Sequence, residues 1–157
     1  MNKDDIPFVQ KIAQLSWYAT YEGIIPKQIQ EEFLQAAYSD DRLQTRLQKS
    51  PFLVAQIGDA IVGFANFSNV NAGQAELFAI YLHPSYQHKG IGSALLESGI
   101  QQLQGVVSLT VCVEKDNLIG RQFYFAKGFQ QVEEYDELFG GHILKTLKLA
   151  LALPKNK

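Results

Sequence analysis

Two clusters of residues, about thirty positions apart, have types and spacings that suit chemistry. The first is Gln87-His88-Lys89-Gly90-Ile91-Gly92, which follows a β-rich run from Glu76 to Leu82 and a His83-Pro84 turn and leads into a helical pattern. Glycine-rich backbone at the mouth of a helix, beside a lysine, suits a phosphate-bearing ligand. The bare amides of the first turn point one way, the helix dipole favours an anion, and glycine permits close approach. The second cluster, VCVEKDNLIGRQFYFAKGF, places Asn117 ahead of Phe123-Tyr124 on one helix, with Lys127-Gly128-Phe129 closing it.

The first cluster alone is weak. Glycine is common enough that two fixed glycines with Arg or Gln three residues ahead arise in roughly one chain in ten of this size. A dinucleotide fingerprint would need a third glycine where Leu95 stands, and no Gly-Lys-Ser/Thr follows to make a P-loop. An ordinary loop entering a helix would look the same.

The surrounding elements must hold these clusters in place. Asp4 to Tyr21 reads as a helix, opened by two aspartates and Pro7, with Phe8, Ile12, Leu15 and Ala19 at helical spacing. After Gly23 and Pro26 a second helix carries Ile29, Phe33, Leu34 and Ala37, and Ser39 can cap a third with Leu43 and Leu47. From Pro51 the period changes to that of strands. Phe52 to Ile57 and Ile61 to Val70 form a hairpin about Gly58-Asp59, and Asn71-Ala72-Gly73 leads into Glu76 to Leu82. A helix from Gly92 to Leu103 packs through Gly92, Leu96, Gly99, Ile100 and Leu103. A strand over Val106 to Val113, a helix over Asn117 to Lys127, and strands over Phe129 to Tyr135 and His142 to Leu151 complete the chain. The order ααα-ββ-β-α-β-α-ββ describes a mixed α/β sheet in one domain, 1–157.

Taken together, the two clusters resemble the paired signature of the GNAT superfamily of acetyl-CoA-dependent N-acetyltransferases. Its members carry Arg/Gln-x-x-Gly-x-Gly/Ala after a fourth strand and Asn-x-x-Ala-x-x-Phe-Tyr-x-x-x-Gly-Phe after a fifth. Gln87 to Gly92 and Asn117 onward match, with Gly120 where the family usually has Ala. The resemblance covers essentially the whole chain. It implies a single-domain GNAT fold: a mixed, mostly antiparallel sheet of about six to seven strands flanked by helices, with the fourth and fifth strands splayed apart.

The resemblance also implies roles. Pantetheine would lie between the splayed strands along Ile80, Tyr81 and Leu82, with the Leu82 N–H polarising the thioester carbonyl. The pyrophosphate would rest on the loop through Gln87, His88, Lys89, Gly90, Ile91, Gly92 and Ser93, and Asn117 would contact the pantetheine or acetyl region. Tyr124 maps to the general acid that protonates departing coenzyme A, and a phenol with a pKa near 10 holds that proton at pH 7. Glu76 maps to the glutamate that serves several relatives as general base, although a water chain does this in others. Attack would be direct, in a ternary complex, so Cys112 reads as a half-buried strand residue and not as a nucleophile.

The acceptor side would be built from Trp17, Tyr18, Tyr21 and Glu22 and from Tyr135, Asp136, Phe139 and His142. An aromatic wall with carboxylates suits a cationic amine; Trp17 and Tyr18 would equally serve as core. The run PKQIQEEFLQAAYSDDRLQTRL resembles the corresponding helices of PaiA-type polyamine acetyltransferases, so a polyamine or related small amine is the expected acceptor. A protein or peptide amine, and a non-catalytic acetyl-CoA-binding module, are the rival readings. His83, His88 and His142 lack metal-ligand spacing, and the chemistry needs no metal.

Composition agrees with this reading. Of the 157 residues 46% are apolar and 19% charged, a globular balance. A net charge of −2 with no basic block argues against nucleic acid as a partner. One cysteine fits a reducing cytoplasm, and no run is long and apolar enough for a signal peptide or membrane span. The apolar ILKTLKLALAL tail permits a homodimer.

Overall fold

Pro7 sets the entry to the first helix in a computed structural model that describes residues 1–154; the last three residues of the expected 1–157 domain lie outside the described part. Asp4 and Asp5 do not begin that helix. They belong to a short 3-10 turn, Lys3–Asp5, closed by reciprocal bonds: Asp4 N–H donates to Asn2 Oδ1 and Asn2 N–H to the Asp5 carboxylate, each at 2.9 Å. Helix α1, Ile6–Tyr21, follows and buries Ile6, Val9, Ile12, Ala13, Ser16, Trp17 and Tyr21. The stripe expected through Phe8, Leu15 and Ala19 is rotated from this one, and Phe8 is 52% exposed. Apolar residues on α1 span two overlapping stripes, and the sheet takes the one centred on Val9 and Ala13.

Helices α2, Lys27–Ala37, and α3, Asp40–Lys49, complete the amino-terminal layer. The Ser39 hydroxyl caps α3 by accepting from Arg42 N–H at 3.3 Å. Buried Gln30 donates through Nε2 to the carbonyls of Tyr21 and Ile25, at 3.2 and 2.9 Å, and so ties the end of α1 to α2. Arg46 fixes α3 to the sheet: Nε donates to Asn66 Oδ1 and Nη1 to the Ala37 carbonyl, both at 2.9 Å.

The strands are β1, Phe52–Ile57; β2, Ala60–Phe67; β3, Gln74–Leu82; β4, Ser108–Glu114; β5, Gln130–Phe139; and β6, His142–Ala152. Helix α4, Ile91–Gln102, links β3 to β4, and α5, Leu118–Ala126, links β4 to β5. The six strands form one sheet in the order β1-β2-β3-β4-β6-β5, antiparallel throughout except for β3 beside β4. β2 stops three residues short of the expected Val70, because the chain turns through Asn71–Gln74 with Ala72 and Gly73 both at positive φ. Among the described residues no helix is long and apolar enough to cross a membrane.

One face of the sheet packs on α4 through Phe67, Leu77, Leu95, Leu96, Leu109 and Leu149. Leu95 joins the expected Gly92, Leu96, Gly99 and Leu103 on the packed side of α4, and Ile100 is half-buried. Gly99 lets α4 sit close: a Cβ there would run into the Phe67 ring. The other face is covered by α1, α2 and α3 over β1 to β3, with Leu43, Phe64 and Ala79 in that core. Past the end of α1, this second face of β4, β6 and β5 stays open. β5 lies at the sheet edge and is exposed along nearly its whole length, with Glu133, Glu134, Asp136 and Glu137 on it. Lys115 meets Glu134 at 2.9 Å and Lys145 meets Asp136 at 2.7 Å.

β3 and β4 pair only over Gln74–Glu76 and Ser108–Thr110 and then part. The splayed pair is therefore the third and fourth strand of this chain, which opens on helices and has no strand ahead of them. A bulge accompanies the parting. The β2–β3 register slips between Asn66 and Phe67, leaving Phe78 unpaired and 53% exposed.

Candidate active site

The gap between β3 and β4 is edged by backbone with unused capacity. His83 N–H donates to Val62 O at 2.8 Å, so after the bulge the odd-numbered residues of β3 bond to β2. Alternation then turns the N–H groups of Ile80 and Leu82 toward the gap. Ser16 of α1 donates its hydroxyl to the Leu82 carbonyl and holds this end of β3.

Past Leu82 the chain makes a 3-10 turn, Pro84–Tyr86, capped by His83 Nδ1, which accepts from Ser85 N–H at 3.1 Å. His88 at φ 64° and Gly90 at φ 81° then curl the loop into the kind of concave amide arrangement that takes an anion. Gly90 is the N-cap of α4 and supplies no side-chain cap, so the first-turn amides keep their capacity. Lys89 Nζ lies 5.4 Å from the Tyr86 ring centre. The first turn of α4 abuts α5: a Cβ on Gly92 would stand 3.2 Å from the Phe123 ring.

On α5, Asn117 is the N-cap and its Oδ1 accepts from Gly120 N–H at 3.0 Å. A Cβ at residue 120 would come within 2.6 Å of the Asn117 amide, so glycine there suits this cap geometry. Tyr124 is 8% exposed, with the rings of Phe123 and Phe129 edge-on at 5.5 Å. Burial, helped by nearby Tyr21, pushes its phenol above the ordinary tyrosine range. Tyr81 is raised for the same first reason, with Tyr21, Tyr38 and Tyr124 adding to it. Burial also carries Tyr21 up to about 12, although the Tyr81 and Asn117 side chains oppose this. These phenols, contributed by α1, β3 and α5, all hold their protons well beyond neutral pH.

The expected acceptor residues fall into separate places. Trp17 and Tyr21, four residues apart on α1, stand together at 4.6 Å between ring centres, and Trp17 also stacks on Phe33 at 4.4 Å and on Phe139 at 6.0 Å. Tyr18 and Glu22 lie one position round the helix and are not brought to this cluster. Tyr18 lies under Lys27 Nζ at 5.5 Å, and Glu22 is exposed. Tyr135 sits instead in a polar groove of about 690 Å³ on the open face, with Glu76, Thr110, Cys112, Glu133 and Lys148. Cys112 is exposed there, not half-buried, and its Sγ lies 3.4 Å from the Tyr135 hydroxyl. Glu76 thus belongs to the stretch where β3 and β4 still pair; burial raises its carboxyl and Lys148 opposes that.

Several residues of the site were not singled out in the sequence. Phe33, Tyr38, Arg42, Arg46 and Phe78, together with the expected Tyr81, line a second, more apolar cavity of about 350 Å³ beneath α2 and α3. Glu114, the last residue of β4, is buried beside Tyr21 and the Asn117 turn. Its only sequence signal is strand alternation, which sets it opposite to Val111 and Val113.

A parallel strand pair that parts beside a helix-mouth amide loop, with a phenol buried close by, defines an acetyl-transfer fold. The chain belongs to the acetyltransferase (GNAT) family, whose model matches residues 10–129, and it is an acetyltransferase of the 2.3.1 class. Among its relatives, a spermidine N(1)-acetyltransferase of Thermoplasma acidophilum is 31% identical over 141 residues, covering 85% of this chain and 86% of that protein. The PaiA N-acetyltransferase of the same organism, solved in complex with coenzyme A, superposes with a TM-score of 0.82 at 28% identity, over 93% of this chain and 94% of that one. A GCN5-related N-acetyltransferase of Rhodopseudomonas palustris shares the fold, with a TM-score of 0.82 at 21% identity and coverage of 98% and 92%.

Proposed function

We propose that this protein moves the acetyl group of acetyl-CoA to a primary amine of a small molecule, by direct attack within a ternary complex. The observation that carries this reading is the arrangement around the gap. Free N–H groups on β3 face it, the His88–Ser93 amides lie beyond one end, and buried Tyr124 stands on the helix packed against that loop. Pantetheine fits the gap as an added strand, bonded by Ile80 and Leu82 with Tyr81 between them, and the pyrophosphate fits the loop from Gln87 to Ser93. Asn117, held as the α5 cap, faces the acetyl end. The Leu82 N–H polarises the thioester carbonyl, and Tyr124 protonates the sulfur as it leaves.

An amine with a pKa of about 10.4 is unprotonated in roughly one molecule in 2,500 at pH 7, equivalent to a barrier of about 4.6 kcal/mol if no group removes the proton. A base in the site is therefore worth having. Glu76, the base the resemblance implies, lines the polar groove in the paired stretch of β3. The likeness to the spermidine N(1)-acetyltransferase supports a polyamine as acceptor, and the aromatic cluster of Trp17, Tyr21 and Phe33 suits a cation. A peptide amine is the second reading, favoured by the open groove of about 690 Å³ over β4. One cysteine and an acetyl-CoA donor fit a cytoplasmic enzyme.

Release of coenzyme A, followed with a thiol reagent, tests this against polyamines, amino acids and short peptides. Turnover is expected with a polyamine. Tight acetyl-CoA binding with no turnover of any amine would make the protein a binding module. In a companion test, Ser93→Asp adds a carboxylate at the loop without crowding Phe123, and coenzyme A affinity should fall at least about tenfold through loss of anion complementarity.

A further inference from the structure

Glu114 ends β4 where the strands have already parted. Unlike Thr110 and Cys112 on the same side of the strand, it is 7% exposed. Its Oε2 accepts the Asp116 N–H at 2.6 Å, and it forms no ion pair among the described residues. The nearby lysines are engaged elsewhere, Lys115 with Glu134 and Lys145 with Asp136. Backbone N–H groups offset part of the cost of burying this carboxylate, and a visiting positive charge would offset more.

Its surroundings identify the visitor. Tyr21 packs on Trp17 in the core that Tyr81 joins, and it lies within electrostatic reach of Glu114 and Tyr124. Trp17 Nε1 is buried and forms no hydrogen bond among the described residues. Polar side chains from α1, β3 and β4 therefore converge where the two strands have parted. Glu76 lies in the paired stretch of β3 instead, with Lys148 nearby.

On the acetyl-transfer reading, we propose that Glu114 is the group that takes the proton from the acceptor ammonium, and that Tyr21 positions the amine between Glu114 and Tyr124. The ammonium gives one proton to Glu114, which later passes it to solvent. The freed nitrogen pair attacks the thioester carbonyl, the C–N bond forms and the C–S bond breaks. Tyr124 gives its proton to the thiolate, and the second proton leaving nitrogen restores the phenol through Tyr21. The net change is ammonium plus thioester to amide, thiol and one released proton.

The groups facing Glu114 are Tyr21 from α1, Lys115, Asp116 and Asn117 from the following turn, and Thr146 across on β6, whose hydroxyl donates to Glu137 at 3.2 Å. Burial lifts the Glu114 carboxyl above the ordinary range, while the backbone N–H of Asp116, Asn117 and Lys115 restrain it. The enzyme's acidic limb should accordingly lie above the usual carboxylate region.

The test compares wild type, Glu114→Gln, Glu114→Asp and Glu76→Gln across pH, using spermidine or any panel amine that turns over. Glu114→Gln should lose roughly 10²-fold or more in kcat at pH 7 while keeping acetyl-CoA affinity. Its rate should then climb about tenfold per pH unit toward the amine's own pKa and approach wild type there. Glu114→Asp should recover part of the loss. A Glu114→Gln deficit equal at every pH and unrelieved by Asp would overturn the assignment, as would this pattern appearing in Glu76→Gln alone. A wild-type protein that turns over no amine would overturn the acetyltransferase reading, and this inference with it.

Discussion

Tyr124 is buried in the last turn of α5, with its hydroxyl in surroundings that oppose ionisation. The proposed role of general acid requires a protonated phenol, and burial keeps Tyr124 so at any working pH. Tyr124→Phe removes the proton and little else, since the ring contacts with Phe123 and Phe129 remain. The expected result is a loss of roughly 10²-fold or more in kcat with acetyl-CoA affinity nearly unchanged, measured by steady-state rates and titration calorimetry. A collapse of affinity would instead assign the phenol to binding. Asn117, Tyr124 and the Gln87–Gly92 loop could be read from sequence because each motif is contiguous, so spacing alone brings its members together. Tyr21, Tyr81 and Glu114 could not be read as a group. They come from α1, β3 and β4, and only the parting of two strands places them side by side. Tyr18, expected on the acceptor side with Trp17, lies one step round the helix from it and beside Lys27.

At the scale of elements, α4 positions the amide loop, and its seat depends on Gly99. An alanine there would raise intrinsic helix propensity by about 1 kcal/mol. Its methyl would also strike the Phe67 ring, which is fully buried and has nowhere to move. Overpacking of this kind costs about 1–3 kcal/mol, so the clash wins. Gly99→Ala should therefore lower the urea midpoint and weaken coenzyme A binding together, as α4 rides outward. A more stable variant would show that Phe67 can yield. The periodicity of α4 was legible, and its ends fall one residue earlier than expected. The bulge at Phe78 was not, because an extra residue in a strand leaves no mark in an apolar run, yet it accompanies the opening of the sheet.

For the molecule as a whole, carboxylates held partly out of water carry a stability cost. Burial raises Glu76 and Glu114 above the ordinary carboxylate value, so the folded chain holds these protons more tightly than the unfolded one. That contribution is fully present below the unfolded pKa, near 4.5, and is lost as pH rises through the folded values. Glu114→Gln keeps the shape and an acceptor for the Asp116 N–H, so it should raise Tm at pH 7 and do little at pH 4, as read by calorimetry. An equal shift at both pH values would point to packing instead of charge. Loss of activity with gain of stability is what a residue retained for chemistry should show. The strand count and the α/β class followed from composition and period, but the placing of β6 between β4 and β5 did not, since a hairpin's sequence does not say which arm faces inward.

That arrangement leaves β5 on the rim with its outward backbone groups unpaired, a template on which a stray strand could grow. Four carboxylates in five positions, Glu133, Glu134, Asp136 and Glu137, sit on that rim, and among the described residues only two have lysine partners. Two copies meeting edge to edge would bring like charges together, so the acidic strand acts as a guard against accretion. Its protection should be conditional on charge. Glu133→Thr with Glu137→Thr should promote concentration-dependent association at pH 7, visible by light scattering, while the parent chain stays dispersed until acid neutralises the rim.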